Sequence, residues 1–402
     1  MRLRMLKILY IAGTELFASH GGSVHTWEVA TELARRGHTV TLIAAKTSGA
    51  RHERIPRENL SVVEVPMHLR GVIAPICSLP AAWAASKKRP DVIIERLAIP
   101  GGAGAIASRF RKIPLVLDVN GPAPLLEMVL KRHLVARLPV MRQFLGCWTR
   151  FQYRRASAVF TANPTSIPAW FKGRAETIDL GVAIDRFTPD MRNSQDVARL
   201  KERLGLGGKF VIFYAGAFMN WQGFNVLPQA IEKVCASDKN VVFLLLGRGD
   251  EFEPFKAKIT LMGLGEKVIL PGSVSPDELP VYAACVDAGI APYQPPEGDK
   301  SFYFGSPLKV FEYMAAGLPV VTTNCPPLPE IVKDGDTGFL VPPHDPSALA
   351  AAILRLAGNP ELAREMGRRN RDIAVREYSW SRHVDKLEAL LMEIIHKEKP
   401  RA

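Results

Sequence analysis

The sequence predicts an α/β protein made of two doubly wound parallel-sheet domains, and three observations carry that reading. Its 402 residues are enough for two domains at roughly 100–200 residues each. Its apolar runs are short, bounded by Pro or Gly, and separated by helical segments. They do not alternate polar and apolar, as strands solvated on one face would. Finally, the pattern restarts once, after the polar stretch RFTPDMRNSQD at residues 186–196. The predicted organisation is a domain over 1–190, a second over 191–378, and a C-terminal helix over 379–402 that packs back toward the first.

In chain order, Lys7–Gly13 reads as a strand and TELFASHGGS as a Gly-containing loop. Residues 24–36 then form an amphipathic helix, with Val24, Trp27, Ala30, Leu33 and Ala34 on one side and Gly37 ending it. The β-branched run Thr39–Ala44 is the next strand. Asp91–Leu97, Pro114–Val119, Ala158–Thr161 and Thr177–Val182 are further strand candidates. In the second half, strands are expected at Phe210–Ala215, Val241–Leu246, Val268–Leu270, Ala288–Pro292, Pro319–Thr323 and Gly338–Val341. Helices are expected at Val226–Ser237, 254–264, Pro276–Cys285 and Pro307–Ala316, with the last fifty residues helical. Two such series place a cleft at the carboxyl ends of the strands, where open parallel sheets bind ligands.

Composition excludes several classes. The chain is 47% hydrophobic and 23% charged, which is ordinary globular usage, so disorder or coiled coil does not dominate. Five scattered cysteines with no C-x-x-C pair argue against a zinc site or a disulfide framework and fit a reducing cytoplasm. The opening MRLRMLKILYIAG has a basic start, but its apolar run is too short for a secretory leader and reads as a buried strand. No run of 18 apolar residues occurs: Pro75 and Pro80 interrupt residues 71–86, so no membrane-spanning helix is expected. Charge is lopsided. Residues 1–190 hold 27 Lys and Arg against 14 Asp and Glu, whereas residues 191–402 hold 25 against 26. The first half therefore faces something anionic.

Chemistry is expected where helix N-termini aim backbone amides at the cleft. Gly21 and Gly22, ahead of the first helix and close to His25, let a phosphate or sugar approach the backbone, though they equally suit a plain β–α turn. They are not the G-x-G-x-x-G dinucleotide fingerprint. The segment GSPLKVFEYMAAGLPVV at 305–321 says more. Ser306 suits an N-cap and Pro307 the first helical position. The amides of Leu308 and Lys309 would then meet an anion, with the Lys309 ammonium beside them. Glu312, one turn on, can accept the two hydroxyls of a ribose. A nucleoside diphosphate fits that segment, although Lys309 and Glu312 also suit an ordinary i,i+3 pair.

SPLKVFEYMAAGLPVVTTN, LPEIVKDGDTGFLVPPHDPSALAAAI and VREYSW resemble the C-terminal domain of retaining glycosyltransferases of family 4, the group 1 transferases with the GT-B fold. GGSVHTWEVATELARRGHTVTLIA resembles the same family's opening β–α–β, and LGVAIDRFTP its segment at the end of the first domain. The resemblance implies two Rossmann-like domains and transfer of a sugar from a nucleotide-sugar with retention at the anomeric carbon. It implies no cofactor and no metal. The donor-binding residues it implies are Glu312, Ser306, Pro307, Leu308, Gly216, Phe304 and Val274. Lys309, Asn120 and Arg248 are the implied catalytic groups, and Gly21, Gly22 and His25 the acceptor or phosphate loop.

The chain departs from the family pattern at several of these places. Of two glutamates seven residues apart, Glu312 matches the second, and Phe304 stands at the first; Glu297 or Asp299 would have to fold back to replace it. GAFMNWQG puts Ala217 and Gln222 where diphosphate-binding Arg and Lys usually stand, leaving Lys309 and Arg248 to that role. Asn120 replaces a histidine, and Leu180 and Ala183 replace the Asn and Asp of N-G-V-D. Because the leaving phosphate itself can deprotonate the acceptor, activity is still expected, provided that the diphosphate charge is stabilised. A nucleotide-sugar epimerase and a non-catalytic glycan-binding protein are the rival readings.

Residues 125–157 carry seven cations (Lys131, Arg132, Arg137, Arg142, Arg150, Arg154, Arg155) against Glu127, interleaved with Leu, Val, Phe, Trp and Tyr. That composition suits an anionic membrane surface, at about 1 kcal/mol per cation near the leaflet, and equally a packed helix pair with a solvated basic face. No nucleic-acid module is present. The expected setting is the cytoplasm, peripheral to the inner face of the membrane, with a nucleotide-sugar donor and a glycan or lipid-linked acceptor as partners.

Overall fold

A computed structural model describes residues 4–16, 21–46, 58–66, 74–98, 101–119, 139–296 and 307–398. The chain divides into two compact units, Met1–Leu180 with Trp380–Ala402, and Gly181–Ser379.

The first unit holds seven parallel strands: β1 (Lys7–Glu15), β2 (Thr39–Ala45), β3 (Leu60–Val65), β4 (Val92–Arg96), β5 (Leu115–Asp118), β6 (Ala158–Thr161) and β7 (Ala175–Thr177). Their order in the sheet is β3-β2-β1-β4-β5-β6-β7, a doubly wound arrangement that reverses between β1 and β4. Helices α1 (Gly21–Arg35), α2 (Ala74–Ser86), α3 (Ala103–Arg111) and α4 (Pro139–Arg155) belong to this unit. β3, α2 and α3 have no counterpart in the sequence reading. LSVVEV shows four exposed residues between buried ends, as an edge strand does, and α3 is short and rich in Ala and Gly. The strand read at Thr177–Val182 lies earlier, at Ala175–Thr177.

The second unit has β8 (Phe210–Ala215), β9 (Val241–Leu246), β10 (Val268–Gly272), β11 (Ala288–Ala291), β12 (Val320–Thr323) and β13 (Gly338–Val341), ordered β10-β9-β8-β11-β12-β13 and all parallel. Helices α5 (Gln195–Arg203), α6 (Leu227–Ser237), α7 (Phe252–Leu261), α8 (Leu279–Ala284), α9 (Leu308–Ala315), α10 (Leu328–Ile331), α11 (Pro346–Ala357) and α12 (Pro360–Glu377) cover it. The non-alternating strands are explained by two cores. Val211, Phe213, Val242 and Leu244 enter one, while Ile212, Tyr214, Phe243 and Leu245 enter the other.

The polar stretch 186–196 lies inside the second unit, and the chain crosses ahead of it, at Leu180–Gly181. Phe187 and Val197 are buried in the core there, and Arg186 Nη2 donates to the Pro276 carbonyl at 2.5 Å and to Asp277 Oδ1 at 2.9 Å. The last helix, α13 (Trp380–Glu398), belongs to the first unit. It is anchored to the end of α1: Arg36 Nη1 donates to Asp385 at 2.8 Å and to Glu388, while Arg36 Nη2 reaches Ser381 Oγ at 2.8 Å. His38, which is buried, accepts the Leu6 amide at Nδ1, so Nε2 carries the proton and donates to Glu388 Oε1 at 2.6 Å.

Candidate functional site

The second sheet reverses between β8 and β11, and the loops leaving those two strands hold the residues around Lys309. Helix α9 begins at Leu308 with Pro307 as its N-cap, one position earlier in role than the sequence suggests; Ser306, Phe304, Glu297 and Asp299 lie outside the described residues. Tyr313 fixes the helix in place. Its ring covers Gly289 of β11, where an added Cβ would lie 2.3 Å from the ring, and its hydroxyl accepts the Ala215 amide of β8 at 2.9 Å. Lys309 and Glu312 are set by that register.

Lys309 is 8% exposed. Its Nζ donates to Gln222 Oε1 at 2.6 Å, lies 3.8 Å from the centre of the Tyr214 ring and 5.3 Å from that of Tyr293. Two aromatic faces and one amide oxygen thus hold the ammonium. Burial keeps its pKa well below the ordinary lysine value, against the attraction of Glu312. Gly216, leaving β8 with φ +154°, makes room for it: a Cβ there would lie 2.7 Å from Nζ. Gln222 is carried by the turn Asn220–Gln222, closed by Gly223 at φ +93° against the Pro292 carbonyl. Trp221 stacks on Tyr293 with ring centres 6.0 Å apart and an 8° tilt.

Glu312 keeps part of its surface, and burial raises its carboxyl to about 7 despite Lys309 and Arg186. Leu308 is half-buried, and Val274, after β10, packs against the core. Arg248 is not gathered with this group. Its guanidinium lies 4.0 Å from the Phe252 ring centre and 3.3 Å from Glu253 Oε1, as a surface pair. Sequence reasoning gave Gln222 only as a missing cation; the structure makes it the hydrogen-bond acceptor of Lys309. Tyr214, Tyr293 and Tyr313 were legible only as core.

In the first unit, Gly21 and Gly22 open helix α1 instead of preceding it, and the Gly22 carbonyl accepts from Thr26 Oγ1 at 3.0 Å. The His25 side chain is completely buried. Its Nε2 lies 3.1 Å from Asp118 Oδ2, which also accepts from Tyr10 Oη at 2.8 Å and has Arg96 Nη1 at 3.8 Å. Desolvation alone would raise Asp118; His25, Arg96 and Tyr10 overcome it and hold the carboxyl down to about 2. Asn120 is outside the described residues. So are residues 125–138 of the basic stretch, whose remainder lies in α4. There Leu145 and Tyr153 are buried, and Trp148 Nε1 donates to the Gly101 carbonyl at 2.7 Å, while Arg142, Phe144, Arg150 and Arg154 are exposed. Packing against α3 thus accounts for part of the apolar content. Among the described residues no three His, Cys, Asp or Glu side chains gather as metal ligands, and no helix is long and apolar enough to cross a membrane.

Comparison with known proteins places this geometry. Residues 19–166 match the model described as Glycosyltransferase Family 4, and residues 209–359 that described as Glycosyl transferases group 1. A GDP-mannose-dependent alpha-(1-6)-phosphatidylinositol monomannoside mannosyltransferase of Mycolicibacterium smegmatis is 28% identical over 54% of this chain, spanning only 56% of that relative's length. The alpha-D-kanosaminyltransferase of Streptomyces kanamyceticus is 23% identical over 85% of this chain and 89% of its own. A D-inositol 3-phosphate glycosyltransferase of Acidothermus cellulolyticus is 26% identical over 87% of this chain and 80% of its own. Among solved structures, Anabaena HepE in complex with UDP superposes with a TM-score of 0.72 at 20% identity, over 96% of this chain and all of that one. Sucrose-phosphate synthase from Thermosynechococcus elongatus gives 0.75 at 19%, over 98% and 100%. These likenesses show the fold, GT-B.

Proposed function

We propose that this chain, a glycosyltransferase of the GT-B fold, moves a hexose from a nucleotide-sugar to a glycan or lipid-linked acceptor with retention at the anomeric carbon. The observation that carries this is the Lys309 ammonium, held at the first turn of α9 by Gln222, Tyr214 and Tyr293, with Glu312 one turn on. As the sugar–phosphate bond breaks, negative charge grows on the departing diphosphate. A preorganised cation in a water-poor site stabilises that charge more than it stabilises the intact donor. Tyr214 and Gln222 keep Lys309 in position, so little reorganisation is needed. The Glu312 carboxylate accepts the ribose hydroxyls. The departing phosphate takes the acceptor proton, so no side-chain base is required, and Lys309 with the first-turn amides of α9 carries the charge-stabilising role in this reading.

A relative named for a phosphatidylinositol monomannoside substrate supports a lipid-linked acceptor, and one named for D-inositol 3-phosphate supports a polar one. The cations of the first half and the exposed Arg142 and Phe144 of α4 support docking at an anionic membrane, at the cytoplasmic face. Incubation with UDP-, GDP- and ADP-sugars tests the reading. Slow release of the free nucleoside diphosphate from one of them, accelerated by acceptor, is expected. An epimerised donor would replace transfer by epimerisation, and no turnover of any donor would overturn both.

A further inference from the structure

Away from the carboxyl ends of the strands, α4 ends next to the turn 170–173, at the amino ends of β6 and β7. Arg150, Tyr153, Arg154, Trp170, Phe171 and Lys172 line a groove there of about 370 Å³. Its wall is aromatic: the buried Tyr153 ring lies 5.2 Å from Trp170 and 5.1 Å from Phe171, centre to centre. Trp170 stays 41% exposed, and the Arg150 guanidinium sits 5.7 Å from its ring centre.

Arg150, Arg154 and Lys172 are exposed, and none makes an ion pair among the described residues. No acid lines the groove. The acids nearest in sequence and fold are engaged elsewhere: Glu176 and Glu393 bind Arg174 at 2.9 and 2.7 Å, and Glu393 also binds Lys397. Other surface arginines, such as Arg4, Arg364, Arg369 and Arg382, are paired one by one, whereas here three unpaired cations share one aromatic-walled groove. Three like charges sharing one groove repel each other unless an anion bridges them. Two planar guanidinium forks and one ammonium match the oxygens of a dianion, and the aromatic wall suits the ring or stem that carries it.

We propose that this groove binds a phosphate monoester, separately from the donor site and without dependence on it. Such a group comes either from a lipid headgroup or from a soluble phosphorylated compound. The test uses the full chain, the triple variant Arg150→Gln, Arg154→Gln, Lys172→Gln, and a control variant, Arg199→Gln with Arg368→Gln, which removes two exposed cations of the second unit, outside the groove and outside the cation-rich first half. Melting temperatures establish that all three are folded. Each is titrated with sn-glycerol 3-phosphate, and with phosphatidylcholine vesicles holding phosphatidic acid or, at matched surface charge, phosphatidylserine. The expected result is binding of at least one monoester probe, weakened about tenfold or more in the triple variant and less than about twofold in the control. Loss confined to phosphatidic acid vesicles assigns a lipid headgroup. Loss in the glycerol 3-phosphate titration with no vesicle binding assigns a soluble ligand and removes the membrane docking proposed above. The groove proposal is overturned by vesicle binding of equal affinity with phosphatidic acid and phosphatidylserine in the absence of glycerol 3-phosphate binding, by equal weakening in both variants, or by no binding of either monoester.

Discussion

At the scale of single residues, the site depends on how much room Lys309 has. Gly216→Ala puts a methyl 2.7 Å from Nζ, at a backbone φ of +154° that side chains rarely adopt, so the ammonium must leave Gln222 and Tyr214. Turnover should fall at least tenfold, about 1.4 kcal/mol of transition-state stabilisation, as it should in Lys309→Ala. Steady-state kinetics with the preferred donor checks this; wild-type turnover in either variant would remove Lys309 from the mechanism. Glu312 makes a second prediction, through pH. Its folded pKa of about 7 exceeds the ordinary 4.5, so the folded chain holds the proton more tightly than the unfolded one. That stabilisation is complete below 4.5 and is lost as pH rises through 7. Glu312→Gln, neutral throughout, should melt like wild type at pH 4.5. At pH 8 it should be more stable by about 1–3 kcal/mol, since the lost attraction to Lys309 offsets part of the gain. Thermal melts at the two pH values decide it: equal stability at pH 8 would show that the carboxylate is not desolvated.

At the scale of elements, α13 is held by a few charged groups. Glu388 serves both Arg36 and the buried His38. Glu388→Ala leaves the buried His38 Nε2–H without its acceptor and takes one of its carboxylate partners from Arg36, which keeps Asp385 and Ser381, at a cost of about 3 kcal/mol. A melting temperature lowered by about 6–12 °C is expected; a shift of a degree or less would show that α13 is held by its apolar face alone. The sequence makes α13 visible as a helix, but not its partner, because Arg36 and Glu388 are far apart in the chain and only folding joins them. The same distinction runs through the site. The strands and α9 were legible because burial on both faces and a Pro-initiated amphipathic turn leave local marks. Lys309 and Glu312 were legible as a spacing within one helix. Tyr214, Tyr293 and Gln222 come from three separate loops and strands, and their convergence on Nζ leaves no local pattern. The partners of His25 were hidden for a related reason: its place after two glycines suggests a ligand loop, while Asp118, Tyr10 and Arg96, which gather at its buried ring, lie on other elements.

At the scale of the whole molecule, the second unit is one continuous piece of chain, Gly181–Ser379, whose ends meet within it: the Val182 amide donates to the Tyr378 carbonyl at 2.7 Å. It has its own sheet and both its cores, and every contact described for Lys309 lies inside it. The fragment 181–379 should therefore fold by itself, with a cooperative thermal transition, whereas residues 1–180 without α13 should not. A fragment lacking a cooperative melt would show that the unit depends on the rest of the chain. The charge imbalance adds the complementary point, since the excess of cations sits in residues 1–190 and the proposed donor site is in the half that is nearly neutral. The central claim is that α9 receives the nucleoside diphosphate, and calorimetric titration of wild type and Glu312→Ala with UDP, GDP and ADP tests it most directly. The account predicts that one of the three binds wild type and that Glu312→Ala, still folded, binds it at least about tenfold more weakly, or about 1.4 kcal/mol. Equal affinity in the folded variant would contradict it.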